Sequence, residues 1–277
     1  MKLAQVKYQD KYFVAQVKDQ KLFPLDFKGY MVDLIFANAS LPFPASQKKG
    51  IAIDSVEFMP PIFNPSKIIA IGLNYKDHAN EADIEIPENP IVFTKFSNSL
   101  IGHNQSICWE KRITQKVDFE AELAIIIKKK TYQCTKEKAL DKIWGYTCAN
   151  DISARDLQFA DGQWIRGKSL NTFCPLGPWV VLAKSIPYPQ TLDIQCSVNG
   201  KIMQQSNTRQ MIFPIPELIA FLSEHFTLYP GDVILTGTPS GVGAFRNPPV
   251  FLEHGDTITV EIEGIGQLIN NCHIKEH

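Results

Sequence analysis

The sequence predicts an α+β chain that is mainly β, with a small N-terminal accessory unit (residues 1–62) ahead of a catalytic-sized body (residues 63–277). Two observations carry this. From Gly177 onward, short apolar runs (GPWVVLA, LDIQCSVNG, GDVILTG, DTITVEIEG, QLINNCHI) recur between glycine, proline and asparagine, the punctuation of strands. Near the boundary, SVEFMPPIFNPSKIIA brings Pro60, Pro61 and Pro65 together, where missing backbone donors and a fixed φ favour an extended connection.

The elements follow in order. Residues 1 to about 25 alternate polar and apolar around a polar turn in VKYQDKYFVAQV, a β-hairpin pattern, and YMVDLIFANA suits a short helix. SKIIAIGL reads as a buried strand stopped by Gly72. It passes into NYKDHANEA, where Asn74 can cap a short helix with Asp77 three residues on. VDFEAELAIII is a strand and TKEKALDKIWGY a helix. In DTITVEIEG, Ile258, Val260 and Ile262 alternate with Thr259 and Glu261, the period of a half-buried strand. There is no internal repeat or low-complexity segment.

At 277 residues the chain can bury a large core, and 28 Lys and Arg against 29 Asp and Glu give a formal charge of -1. That balance offers no electrostatic reason to expect nucleic acid or an acidic membrane surface, so small neutral or mildly anionic partners fit better. The N-terminus lacks the apolar run of a signal peptide, and nowhere do about 18 apolar residues follow one another, so a cytoplasmic protein is expected. Six cysteines without a C-x-x-C argue against a zinc knuckle or redox pair and suit reduced, packed thiols. His225, His254, His273 and His277 have no metal-ligand spacing, and Lys128, Lys129 and Lys130 suit a solvated strand end.

Glu120 and Glu122 carry the first chemical signal. In an extended chain they project to one face while Phe119, Ala121 and Leu123 project to the other. Two like charges on one face need solvent, a cationic partner or a metal ion. A hard divalent cation prefers such oxygen ligands, and a third carboxylate is available from Asp151 or Asp156 in CANDISARD. Asp151 also suits an N-cap to ISARDLQ, and Asp156 a partner for Arg155 or a helix-entry group. In DHANE, His78 and Glu81 lie three apart on a helix, so the carboxylate can orient the imidazole as a general base, although the same spacing occurs on solvated faces. Lys168, in GKSLNTFCPLGPWVV, can be drawn to nearby carboxylates and stabilise negative charge on a substrate oxygen; a surface loop lysine is the alternative. The loop from Gly237 to Gly243 can present backbone N–H groups to an anion, or be a turn. It lacks the G-K-[ST] of a P-loop and the helix context of a dinucleotide site, and neither G-x-S-x-G nor H-E-x-x-H occurs.

Taken in order, IGLNYKDHANE, VDFEAELAIII, GYTCANDISARDLQ, GKSLNTFCPLGPWVV, GDVILTGTPSGVG and VEIEGIGQLIN make the chain resemble the fumarylacetoacetate hydrolase family across residues 65 to 272. The resemblance implies a mixed β-roll and a divalent metal, usually Mg2+ with Mn2+ or Ca2+ as alternatives, on Glu120, Glu122 and Asp151. It implies that His78 and Glu81 activate water and that Lys168 assists beside the metal. It places Thr238 with Gly237, Lys95 and Arg155 at a small 2-keto acid substrate, in a homodimer. Cleavage of a carbon-carbon bond in acylpyruvate-type 2,4-diketo acids ranks first. Isomerisation, tautomerisation, hydration or decarboxylation of 2-keto dicarboxylic acids such as oxaloacetate ranks second. A metal-stabilised binding protein without turnover is the reading from another class. Two departures bear on substrate size: Ala82 and Asp83 follow Glu81 where methionine is common, and Phe96 follows Lys95 where proline is common.

Overall fold

The computed structural model describes residues 1–37 and 49–276. The alternating N-terminal residues form β1 (Lys2–Tyr8), β2 (Lys11–Lys18) and β3 (Lys21–Pro24), an antiparallel meander. Gln9-Asp10 and Asp19-Gln20 are two-residue turns with positive φ at both positions, a geometry that follows the strand twist. Within YMVDLIFANA, α1 covers Met31–Phe36, and the last two letters lie outside the described residues, as does His277. Short β4 (Ile51–Ala52) and β5 (Glu57–Phe58) pair with β3 and β1. The expected division after residue 62 falls in the proline-rich connection that follows β5, and the strands before it continue the main sheet through the pairing of β1 described next.

Beyond the prolines come β6 (Ile68–Gly72), α2 (Lys76–Ala82), β7 (Ile91–Lys95), β8 (Leu100–Ile101), β9 (Ser106–Glu110), β10 (Val117–Asp118) and β11 (Ala121–Ile127). They are followed by α3 (Lys136–Ala139), β12 (Ile143–Asn150), β13 (Ser153–Ala154), α4 (Arg155–Ala160), α5 (Ile165–Lys168) and β14 (Cys174–Leu182). The chain closes with β15 (Asp193–Val198), β16 (Lys201–Asn207), α6 (Ile215–His225), β17 (Val233–Leu235), β18 (Thr257–Ile262) and β19 (Gly266–Lys275). One sheet of 12 strands runs β4-β3-β2-β1-β14-β12-β11-β17-β6-β7, with β5 on β1 and β8 on β14; a second, of five strands, runs β16-β15-β18-β19-β9. The result is the expected sheet-rich α+β roll.

Strand β11 is central, hydrogen-bonded to β12 on one side and β17 on the other. Leu123, Ile125 and Ile127 pack into the larger core with Ile194, Val260 and Leu268, while Ala124 and Ile126 pack with Leu34, Ile68 and Val233 on the opposite face. Burial on both faces explains its continuous apolar run.

Three local expectations change. TKEKALDKIWGY is helical only over Lys136–Ala139, extended by a 3-10 turn, because the β-branched and aromatic IWGY enters β12 and pairs with both neighbours. Asn74 does not cap α2, which begins after Tyr75. Its side chain instead donates to the carbonyls of Phe213 and Thr236 and accepts from the Phe213 N–H, tying three loops together. Asp151 does not cap α4, whose first residue is Arg155. Helix α6 fell outside the elements assigned above; its buried Ile215, Leu218, Ile219 and Leu222 carry the helical spacing that would have revealed it. Among the described residues no helix is long and apolar enough to cross a membrane.

Candidate active site

The site begins where β11 and β12 meet. Their register sets Ala121 opposite Asn150, and the N–H of Asp151 donates to the carbonyl of Glu120 at 2.9 Å. Glu120, Glu122 and Asp151 are therefore neighbours. One carboxylate oxygen from each lies within 4.8 Å of the others, and all three residues are buried.

Three cations surround them. Lys168, at the end of α5, places Nζ 2.8 Å from both Glu120 and Asp151. Lys95, from the end of β7, is 2.5 Å from Asp151, and Arg155, at the start of α4, is 2.6 Å from Glu120. The other side of the guanidinium pairs with Asp118, which also accepts the N–H groups of Gly243 and Ala244. Asp118 was missed in the sequence, yet it stands two residues before Glu120 and continues the same spacing.

Burial alone would push Glu120 up, but Lys168 and Arg155 outweigh it and hold the carboxyl at about 2. Glu122 goes the other way. Burial and then the charges of Asp151 and Glu120 raise it, and it accepts the Gly237 N–H at 2.6 Å. Lys168 is raised because Asp151 and Glu120 outweigh its burial. A divalent cation fits this donor set: three carboxylate oxygens converge, and among the described residues no ion pair is made to Glu122.

Helix α2 supplies the fourth wall. His78 Nδ1 is 3.2 Å from Glu81 Oε2, and both oxygens of Glu81 accept the Gly241 N–H at 2.9 and 3.0 Å. The imidazole leans on Phe245, ring centroids 5.7 Å apart. Close packing at the strand end needs Gly72, because a Cβ there would stand 2.5 Å from the Trp164 ring. Gly237, at φ +94°, turns its N–H to Glu122 in a backbone conformation that L side chains rarely adopt.

A cavity of about 270 Å³ joins His78, Glu120, Arg155, Lys168 and Thr238. Thr238 is held by Gln204, whose amide donates to its hydroxyl at 2.8 Å. Of the expected substrate contacts, Arg155 and Thr238 line the cavity, whereas Lys95, 1% exposed behind Asp151, and Gly237, whose N–H is given to Glu122, do not. Gln158, Phe159 and Trp164, which lie between Arg155 and Lys168 in the chain, line the cavity with Phe245 without having been singled out. A wider surface depression of about 980 Å³ lies elsewhere, beside His254 and His273, but the acidic triad is the group of three metal-ligand side chains found among the described residues.

Fold and site together define a β-roll enzyme built around an acidic triad able to hold a divalent ion. Residues 67–273 match the family described as fumarylacetoacetate (FAA) hydrolase C-terminal, and the chain belongs to that family. It is 47% identical over 227 residues to oxaloacetate tautomerase Fahd2a, mitochondrial, of Rattus norvegicus, covering 82% of this chain and 72% of that protein. The solved fumarylacetoacetate hydrolase of Exiguobacterium antarcticum superimposes with a TM-score of 0.92 at 33% identity, over 99% of this chain and 100% of that one. A 2-hydroxyhepta-2,4-diene-1,7-dioate isomerase from Mycobacterium marinum does so at 0.84 and 32%, over 100% of both chains.

Proposed function

We propose that the chain is a divalent-metal-dependent enzyme that interconverts the keto and enol forms of a 2-keto acid, with a 2-keto dicarboxylate such as oxaloacetate as substrate. The observation that carries this reading is that His78, oriented by Glu81, faces the same cavity as the acidic triad's Glu120. The tautomerase and isomerase names of the relatives support ranking enolisation ahead of carbon-carbon cleavage, the reverse of the order drawn from the sequence. Residence in the cytoplasm and a homodimer belong to the same proposal.

A divalent ion held by Glu120, Glu122 and Asp151 would draw electron density from the keto group and make the neighbouring C–H more acidic. With Nδ1 engaged by Glu81, Nε2 is the His78 nitrogen left to take that proton. The C–H electron pair becomes the new carbon-carbon double bond, the carbonyl π pair moves onto the keto oxygen, and the His78 imidazolium returns the proton to that oxygen. Glu81 stabilises the imidazolium, and its grip on Gly241 fixes its own position. The Lys168 ammonium, buried against the cavity, favours negative charge on the oxygen during transfer.

The apolar part of the cavity favours a second reading, cleavage of an acylpyruvate with a hydrocarbon acyl chain. The test follows decay of enol-oxaloacetate absorbance with the protein, with magnesium and again after chelation. Acceleration that needs the metal supports enolisation. No acceleration by folded, metal-loaded protein, with pyruvate released from acetylpyruvate, would replace it with the hydrolase.

A further inference from the structure

We infer that Arg246 is a positioning residue for the base: its guanidinium clips the loop after Thr238 to strand β16 and so fixes the Glu81 carboxylate that aims His78. The inference rests on the proposed enolisation by His78 and adds a residue that does not line the cavity.

Arg246 is partly buried, and its guanidinium is directed at backbone. Nε donates to the Gly241 carbonyl at 3.1 Å, and Nη2 donates to the carbonyl of Met203 within β16. Among the described residues it forms no ion pair with a carboxylate. The planar fork of an arginine can hold two carbonyls of different segments at once, a geometry that a lysine ammonium on its flexible stem does not fix. The clipped loop is also closed on itself. The Gly243 carbonyl accepts the N–H groups of Arg246 at 3.3 Å and Val250 at 3.0 Å. At Gly241, φ +100°, a Cβ would stand 2.2 Å from the Met203 carbonyl oxygen. Gly241 thus has no room to move toward β16, and Arg246 keeps it from moving away.

The clip bears on the base through two contacts. The Gly241 N–H is shared by both oxygens of Glu81, at 2.9 and 3.0 Å, and the same carboxylate meets His78 Nδ1 at 3.2 Å. Phe245, the residue before Arg246, lies against the imidazole with ring centroids 5.7 Å apart. Without the guanidinium, water can reach the two carbonyls, so the fold persists. Asp118 still anchors Gly243 and Ala244, and the loop loosens on either side of them. The Gly241 N–H and the Phe245 ring then drift together with the base they orient. A misplacement of about 1 Å is enough to lower a rate about 10²-fold. The acidic triad is braced separately by Lys95, Arg155 and Lys168, so metal binding should not follow the rate.

The experiment compares Arg246→Met, Glu81→Ala and the double variant as full chains. With magnesium and enol-oxaloacetate, Arg246→Met should lower kcat about ten- to hundredfold, while KM and calorimetric Mn2+ affinity stay within about threefold of wild type. In the Glu81→Ala background the same substitution should change kcat by less than about twofold, because both act through one carboxylate. The downfield Nδ1 proton resonance of His78, assigned by its disappearance in His78→Gln and recorded without substrate, should be lost or move upfield in Arg246→Met as in Glu81→Ala. Arg246→Lys, which can reach one of the two carbonyls, should recover part of the rate and of the resonance, and it replaces Arg246→Met if that variant does not fold. A wild-type kcat in folded Arg246→Met overturns the inference. So do rate losses that multiply in the double variant, or Mn2+ affinity that falls in step with kcat, since either makes Arg246 a general support of the fold. A shifted His78 resonance in a protein whose wild type does not tautomerise oxaloacetate sinks the reaction alone. Tautomerisation with resonance and kcat unmoved by Arg246→Met sinks the clip alone.

Discussion

Asp118→Ala removes the anchor on which Arg155 and the loop after Gly241 both depend. Asp118 is fully buried. It receives Arg155 Nε at 2.9 Å, the Gly243 N–H at 2.8 Å and the Ala244 N–H at 3.0 Å. Breaking a buried ion pair by deleting one partner costs about 3–5 kcal/mol, since the other charge stays desolvated. Each backbone N–H left without an acceptor adds about 1–3 kcal/mol. Arg155 keeps Glu120 and Gln158, and the losses overlap, so the expected total is about 5 kcal/mol. That is a third or more of the stability of a typical domain. Urea unfolding followed by tryptophan fluorescence, in chelator so that metal does not contribute, reads the change directly. A loss below about 1 kcal/mol would refute the reasoning, because it would show the guanidinium and both amides satisfied without Asp118.

Further outcomes separate the other roles. Glu122→Gln should weaken Mn2+ binding at least about tenfold in calorimetry, since even groups that only orient a ligand are worth that much. Unchanged affinity would remove Glu122 from the ligand set. His78→Gln should lower the enolisation rate by about 10²–10⁴ while metal affinity stays within about threefold of wild type; a wild-type rate would transfer the base to another group. His103, whose Nδ1 accepts the Ile269 N–H at 3.0 Å, is lowered by burial to about 4. Its unfolded value is near 6.5, so the unfolded chain binds the extra proton first. Its contribution is complete above about pH 6.5 and is lost as pH falls through about 4, on the order of 1–3 kcal/mol for this partly buried group. Denaturant midpoints across that window should fall with acid, and less steeply in His103→Asn; parallel curves would exclude His103.

The sequence exposed the parts of the site that obey a local period. Glu122 on β11 and Glu120 just before it stand two apart, His78 and Glu81 share a helix turn, and Asp151 directly follows β12, the strand paired with β11. The hairpin and the later strands were legible for the same reason. Asp118 follows that period too, but its role emerges only when Arg155 and residues 243–244 arrive from elsewhere in the chain. Lys95 shows the converse difficulty: a lysine in a strand gives no hint of whether it will face substrate or, as here, brace Asp151 from behind. Asn74 looked like a cap because capping is its commonest local use, while its actual partners lie 139 and 162 residues away. TKEKALDKIWGY mixes a polar helical start with strand-forming aromatics, and the pairing available on both sides of β12 decides where one gives way to the other.

The meeting of β11 with β12 separates two histories within one cavity. The triad arises at the junction of a single antiparallel pair locked in the centre of a sheet, where a shift of one residue would disorganise all three carboxylates. The mouth is assembled from three excursions, around Ile84, Phe159 and Phe245, none of which belongs to that pair. Mutation can therefore reshape what enters while the acidic floor stays as it is. A lineage carrying this fold can change its substrate by drift at the rim and retain the chemistry it inherited.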